Sequence, residues 1–171
     1  MKRALWTERK FIFDQPVGWL PNVVERLHGT PVRLGHMVQA LNEEKLCAKP
    51  AGTWSIKEHV GHLTDLEALH DGRIDDFLAR KPVLRAADMQ NIKTNQANHN
   101  KRAIETLLSN FMRVRAEFIQ RLLQIDDETQ LFKSMHPRLQ VPMRLIDMAY
   151  FTAEHDDHHL ARIRELTEIL K

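Results

Sequence analysis

Near the C-terminus, AEHDDHHLARI (153–163) carries three histidines and two aspartates within five positions. Imidazole and carboxylate bind divalent metals through nitrogen and oxygen, and imidazole also titrates near neutral pH. Such a cluster serves as a metal centre, a proton-handling site or the polar face of a helix. The chain has one cysteine, Cys47, so Cys-x-x-Cys thiolate sites and an internal disulfide are excluded. Any metal here is held by nitrogen and oxygen. Ten histidines occur in all. Six form two groups, His59, His62 and His70, then His155, His158 and His159, while His28, His36, His99 and His136 stand apart.

Helical periodicity separates the last three. With Thr152 as origin and about 100° per residue, Leu145, Met148, Ile163, Leu166 and Leu170 form one apolar stripe. His159 lies about 20° from its centre, His155 about 60° away at its edge, and His158 about 120° away on the outer side. His155 and His159 are thus an i, i+4 pair facing the interior, and His158 points elsewhere. Rings on adjacent turns can share one ion. As ordinary core residues, each neutral ring would need both a donor and an acceptor, and a charged ring would be costly to bury. The glutamate of the zinc-protease helix motif is missing after the first histidine, so HDDHH is not that motif.

A catalytic metal site takes three protein ligands and keeps an open position. The third candidate comes from EHVGHLTDLEALH (58–70). There His59 and His70 sit within a broad apolar stripe and His62 sits at its edge; periodicity alone slightly favours His59. Asp65 is one turn after His62 and is a candidate for orienting a ligand ring. Asp156 and Asp157 read as solvated, with Asp156 nearer the stripe. Trp54 reads as a packing anchor.

These residues need helices to position them. Leu20–Leu41 is helical in pattern, with Gly29–Pro31 as a break or kink. Residues 42–53 read as a loop. SIKE (55–58) is a capping box opening a helix that runs to about Arg80, before Pro82. Residues 82–97 are polar and irregular. A third helix is expected from Asn98 to Gln124, then a connection with at most a little extended structure, then a last helix from Met143 to Leu170. Four long amphipathic segments, with no convincing strand, predict an all-α four-helix bundle with long connections. The 82–97 and 125–142 connections are expected to line its site.

The chain has 171 residues, 43% of them hydrophobic and 28% charged, which suits one domain over residues 1–171. A net charge of +2 with no like-charge block gives no support for nucleic-acid binding. No apolar run is long enough for a membrane span and no export signal is visible, so a cytoplasmic protein is expected. Amphipathic helices leave room for a homodimer.

WSIKEHVGHLTD (54–65), HP (136–137) and HDDHHLARI (155–163), in that order, resemble the DinB-like superfamily, and within it the YfiT-like branch of metal-dependent hydrolases. The resemblance covers most of the chain. It implies an up-down-down-up four-helix bundle holding one divalent metal ion per chain on three histidines. Here these match His62, His155 and His159, with His59 standing where the family has an aliphatic residue. His136 before Pro137 would stand at the mouth of the site. Zinc or nickel suits imidazole ligands, and manganese or iron would also be accommodated. Three neutral ligands leave the ion its Lewis acidity, so water or a thiol could be activated for a small-molecule substrate. The implied function is a hydrolase, with a low-molecular-weight-thiol S-transferase or a non-enzymatic metal-binding stress protein as alternatives. A pH-sensing helical interaction module is a further option.

Overall fold

A computed structural model describes residues 3–170, so Met1, Lys2 and Lys171 of the expected domain lie outside it. Helix α1 spans Leu20–Val38, α2 Glu43–Cys47, α3 Ile56–Leu78, α4 Ile92–Gln96, α5 Ile104–Leu123 and α6 Asp127–Leu131. Strands β1 (Ser134–His136) and β2 (Val141–Met143) then form an antiparallel hairpin, with Ser134 opposite Met143, before α7 (Leu145–Ile169) ends the fold. No described helix is long and apolar enough to cross a membrane.

The four long helices form the bundle. Helix α3 packs on α5 and α7, and α1 packs on the same two, so α1 and α3 occupy opposite corners. Two apolar clusters mark the ends of the core. One contains Leu20, Val24 and Leu27 of α1, Ile74 and Phe77 of α3, Phe118 and Leu122 of α5, and Leu145 and Met148 of α7. The other contains Leu34 and Val38, Val60 and Leu63, Leu107 and Phe111, and Ile163 and Leu166. Helices α1 and α7 therefore run from the first cluster to the second, and α3 and α5 run back. This is the up-down-down-up order, and it explains the long connections, because consecutive helices α1 and α3 are diagonal rather than adjacent.

Local chemistry accounts for most of the boundaries. Ser55 accepts from the Glu58 N–H while the Glu58 carboxylate accepts from the Ser55 N–H, closing the capping box of α3. At the start of α7 only one half of this arrangement is present: the Asp147 carboxylate accepts from the Arg144 N–H at 2.9 Å. Four sequence expectations are corrected. Residues 42–53 are not all loop, since Asn42 caps the short helix α2 by accepting from the Lys45 N–H. Helix α1 runs unbroken through Gly29–Pro31, with Pro31 turned into the buried face. Helix α5 starts at Ile104 rather than Asn98, because Asn98 is left-handed (φ 53°) and a short 3-10 turn, His99–Lys101, precedes the helix. The segment 82–97 is not all irregular, since it contains α4, and the β1–β2 hairpin occupies the connection before α7.

Between the two apolar clusters lies a buried polar layer. Arg115 of α5 donates through Nε and Nη2 to Glu67 of α3 at 2.8 and 3.0 Å. It also holds Asp156 of α7, with Nη2 at 3.1 Å from Oδ1. The Thr30 hydroxyl of α1 donates to Asp156 at 2.9 Å. Asp156 is thus fully buried, not solvated; the sequence places it near the stripe, and its counter-ion comes from another helix. All four bundle helices meet in this layer. Burial would raise the Glu67 carboxyl, but the Arg115 charge, together with hydrogen bonding to Arg115 and neighbouring His70, outweighs it and holds the group below its usual range. Replacing Arg115 by Met leaves two buried carboxylates without a counter-ion and should cost about 3–5 kcal/mol of stability. Urea denaturation checks this; a loss under about 1 kcal/mol would contradict the layer's role.

Candidate metal centre

Helices α3 and α7 are antiparallel neighbours, so an early turn of one meets a late turn of the other. There His62, His155 and His159 converge, each buried, with one ring nitrogen from each lying within 4.8 Å of the others. The Nε2 atoms of His155 and His159 are 3.2 Å apart. Two imidazole nitrogens that close are held by a shared proton or by a cation that both ligate.

Two of the three remaining ring nitrogens have specific partners, while His155 Nδ1 is buried without one among the described residues. His99 donates from Nε2 to Asp65 at 2.8 Å, and the Thr94 hydroxyl donates to the same oxygen at 3.0 Å. Burial raises the Asp65 carboxyl, but these two hydrogen bonds, with the attraction of His99 and Lys93, outweigh it and keep the group ionised at neutral pH. With its proton on Asp65, the Thr94 oxygen accepts from His62 Nδ1, 3.1 Å away. His62 therefore carries its proton on Nδ1 and offers the Nε2 lone pair to the centre. His159 Nδ1 meets His59 Nδ1 at 2.9 Å. With that proton on His159, its Nε2 is also free to ligate.

Electrostatics favours the ligating form. Burial, reinforced by neighbouring imidazoles, holds His155 and His159 well below the usual histidine value. Burial also pushes His62 down to about 4 and His59 down to about 3. All four are neutral at pH 7, as metal ligation requires. The donor set, with the tautomers of His62 and His159, thus fits one divalent ion.

The other candidates divide around this centre. His59 is buried beside the trio and reaches it only through His159. His70 lines the same cavity, with its ring 6.3 Å from that of His155. Asp65 acts through Thr94, not on His62 directly. His158 is half-buried rather than turned to solvent. It packs on Trp6, and its Nε2 accepts from Arg3 Nη1 at 2.8 Å, so that lone pair is unavailable to an ion. Trp54 packs against His62 with ring centroids 4.8 Å apart and donates to Asn95 at 3.0 Å, so it walls the centre.

A cavity of about 470 Å³ opens onto the histidines. Its walls include Ala86–Met89 and His136–Arg138 from the two expected connections, together with Trp6 from the N-terminal segment. His136 is buried within that wall.

Thr94 and His99 escape sequence reasoning, because Thr94 lies in a segment whose polarity reads as loop and His99 falls at the start of the expected third helix, whose first turn is instead a separate 3-10 turn. One signal was available in Gly61, a glycine inside a helix. A Cβ built there would come within 2.3 Å of the His99 ring. Glycine lets His99 lie flat on α3 and reach Asp65.

The sequence matches the DinB superfamily over residues 26–163, and the chain belongs to that superfamily. Among solved structures it is similar to YfiT from Bacillus subtilis, described as a probable metal-dependent hydrolase with an unusual four-helix bundle topology. The TM-score is 0.81, with 95% of this chain and 94% of that one covered at 19% identity, a likeness that establishes the fold. No curated protein matches the sequence.

Two outcomes follow from the geometry. Gly→Ala inside a helix ordinarily adds up to about 1 kcal/mol of stability. Gly61→Ala should instead lose about 1–3 kcal/mol, because the methyl group displaces His99; a stabilised variant in thermal unfolding would contradict the close approach. The second concerns pH. Unfolded histidine titrates near 6.5, whereas folded His62 and His59 resist protonation down to about 4 and 3. As pH falls below 6.5 the unfolded chain takes up protons first, so stability present above that pH is lost at up to about 1.4 kcal/mol per unit for each buried histidine. The melting temperature of chelator-treated protein should fall steeply from pH 6.5 to 5; a flat profile would contradict the neutral cluster.

Proposed function

We propose that His62, His155 and His159 bind one divalent metal ion through their Nε2 atoms, and that the chain is a metal-dependent hydrolase acting on a small molecule. The observation that carries this reading is the convergence of three buried, neutral imidazoles, of which His62 is oriented by Thr94 and His159 by His59. Membership of the DinB superfamily and the fold shared with YfiT support it. An ion at this position supplies Lewis acidity that activates water. Zinc or nickel is the proposed ion, since both suit all-imidazole ligation.

The chain's own residues supply the rest. Asp65 and Thr94 fix the tautomer of His62, and His59 engages Nδ1 of His159. Trp54 and Trp6 shield the histidines from bulk water, and the cavity beside them leaves room for a substrate. That open side separates a catalytic ion from a structural one, which the protein would enclose on all sides.

Metal analysis of the purified protein should find about one divalent ion per chain. Replacing His155 and His159 together by Ala should abolish binding, while His158→Ala should retain it. Full occupancy in the double variant would overturn the assignment. Hydrolysis of an ester and amide panel should vanish with the metal while far-UV circular dichroism stays unchanged. Unfolding on chelation would instead point to a structural ion, and turnover only with a thiol co-substrate would point to S-transfer.

A further inference from the structure

Half-buried or buried arginines elsewhere in this protein meet carboxylates. Arg26 pairs with Glu154 and Asp157, Arg115 with Glu67 and Asp156, and Arg144 with Asp147. Two arginines depart from this, and both line the cavity beside the histidines. Arg73, on α3 three residues after His70, is 3% exposed. Its Nε and Nη2 donate to the Arg85 carbonyl at 3.2 Å each, and its Nη1 bonds to no described residue. Arg138, in the turn of the β1–β2 hairpin, lies with its guanidinium 6.0 Å from the Phe151 ring, and its buried Nη2 has no partner among the described residues.

A third donor joins them. The Leu139 N–H donates to His136 Nδ1 at 3.2 Å, so a neutral His136 carries its proton on Nε2. That Nε2 is buried and without a partner. Burial and the charges of Arg73 and Arg138 together push His136 down to about 3, which keeps it neutral. The nearby carboxylates are engaged elsewhere. Both oxygens of Asp88, exposed at the cavity's edge, accept from the backbone N–H groups of Gln90 and Ile92. Asp76 is taken by Arg85 and Lys81. Burial outweighs the attraction of Asp76 and pushes Arg73 down to about 10, still charged at neutral pH.

We infer that Arg73, Arg138 and His136 form an anion subsite at the end of the cavity away from the three histidines, and that it takes the carboxylate or phosphate group of a small substrate. Two guanidinium groups facing a cavity without a counter-ion are costly unless an anion neutralises them. Guanidinium matches the planar, multidentate geometry of both oxyanions. Phe151 lies one helical turn before His155, so the two ends are spaced for one short molecule, with apolar walls at Leu66, Leu69 and Met89 between them. The placement of the reacting end rests on the metal reading above; the anion end stands on its own donors.

The test uses metal-free protein, so that an anion cannot report on the ion. Benzoate and inorganic phosphate are titrated by calorimetry, with benzamide as the neutral counterpart of benzoate. The fluorescence of Trp6 and Trp54, which line the cavity, gives a second readout. At least one anion should bind saturably; whichever is preferred names the substrate's group. If benzoate binds, benzamide should bind about tenfold more weakly or worse. Arg138→Gln should weaken the anion about tenfold or more and Arg138→Lys should restore part of the loss. Arg138 makes no structural hydrogen bond, so this variant should fold, and far-UV circular dichroism verifies that it does. Equal binding of benzamide and benzoate, an unchanged affinity in Arg138→Gln, or no saturable anion binding would overturn the subsite. Metal content is measured separately: its failure leaves anion binding intact, and the reverse also holds.

Discussion

A buried neutral imidazole has one donor and one acceptor nitrogen, and the structure around α3 and α7 is organised by that requirement. His62 donates to Thr94, whose own proton is taken by Asp65, and Asp65 is kept ionised by His99. Thr94 and His99 come from the segment between α3 and α5 and Asp65 from α3 itself, so one ring's orientation determines how that segment lies. The segment can lie there because Gly61 presents no side chain to His99. Left-handed Asn91 and Asn98, which bracket α4, turn the chain back toward α3 on either side of Thr94. A loop that looks like a spacer is therefore part of the site, tied to it by hydrogen bonds rather than by apolar burial.

The rotation of α7 is controlled from the opposite direction. His155 and Asp156 are consecutive, so their side chains point about 100° apart around the helix. His155 faces α3 and the cavity, while Asp156 faces Arg115 of α5 and Thr30 of α1. A slip of α7 about its axis would break the ion cluster and move the histidines out of register together. The buried cluster thus specifies rotation, a role for which ionic groups in a core are better suited than interchangeable apolar contacts. Glu67 completes the coupling, since it shares Arg115 and lies one turn before His70 on α3.

The parts of this arrangement that depend on neighbours in sequence were legible beforehand. Capping chemistry at Ser55 and Glu58, the stripe from Leu145 to Leu166, and the inward pair His155 and His159 all follow from helical periodicity. Choosing His62 over His59 needed the family pattern, because both are buried on the same helix and both meet His159 of α7, and only the fold shows that His62 also converges on His155. Asp156 read as solvated because burial of a carboxylate depends on a counter-ion from a distant helix, which no local pattern reveals. Thr94 and His99 were hidden for the same reason, and Pro31 within α1 shows tertiary packing overriding a local breaker signal.

The electrostatic character of the cavity follows from the same accounting of partners. Its inner end is lined by histidines that burial keeps uncharged, so an ion ligated there would retain its full double charge. Its other end holds two guanidinium groups without carboxylate partners, and the one carboxylate at its edge, Asp88, is engaged by backbone N–H groups. Cationic groups at both ends of one apolar-walled space repel each other weakly across it, and an anion between them relieves both. Were both ends occupied, their occupancies would be thermodynamically coupled, each strengthening the other by the same factor. A substrate anchored by its anionic group would have its reacting part held beside the histidines, which turns the encounter with an activated nucleophile into an intramolecular one.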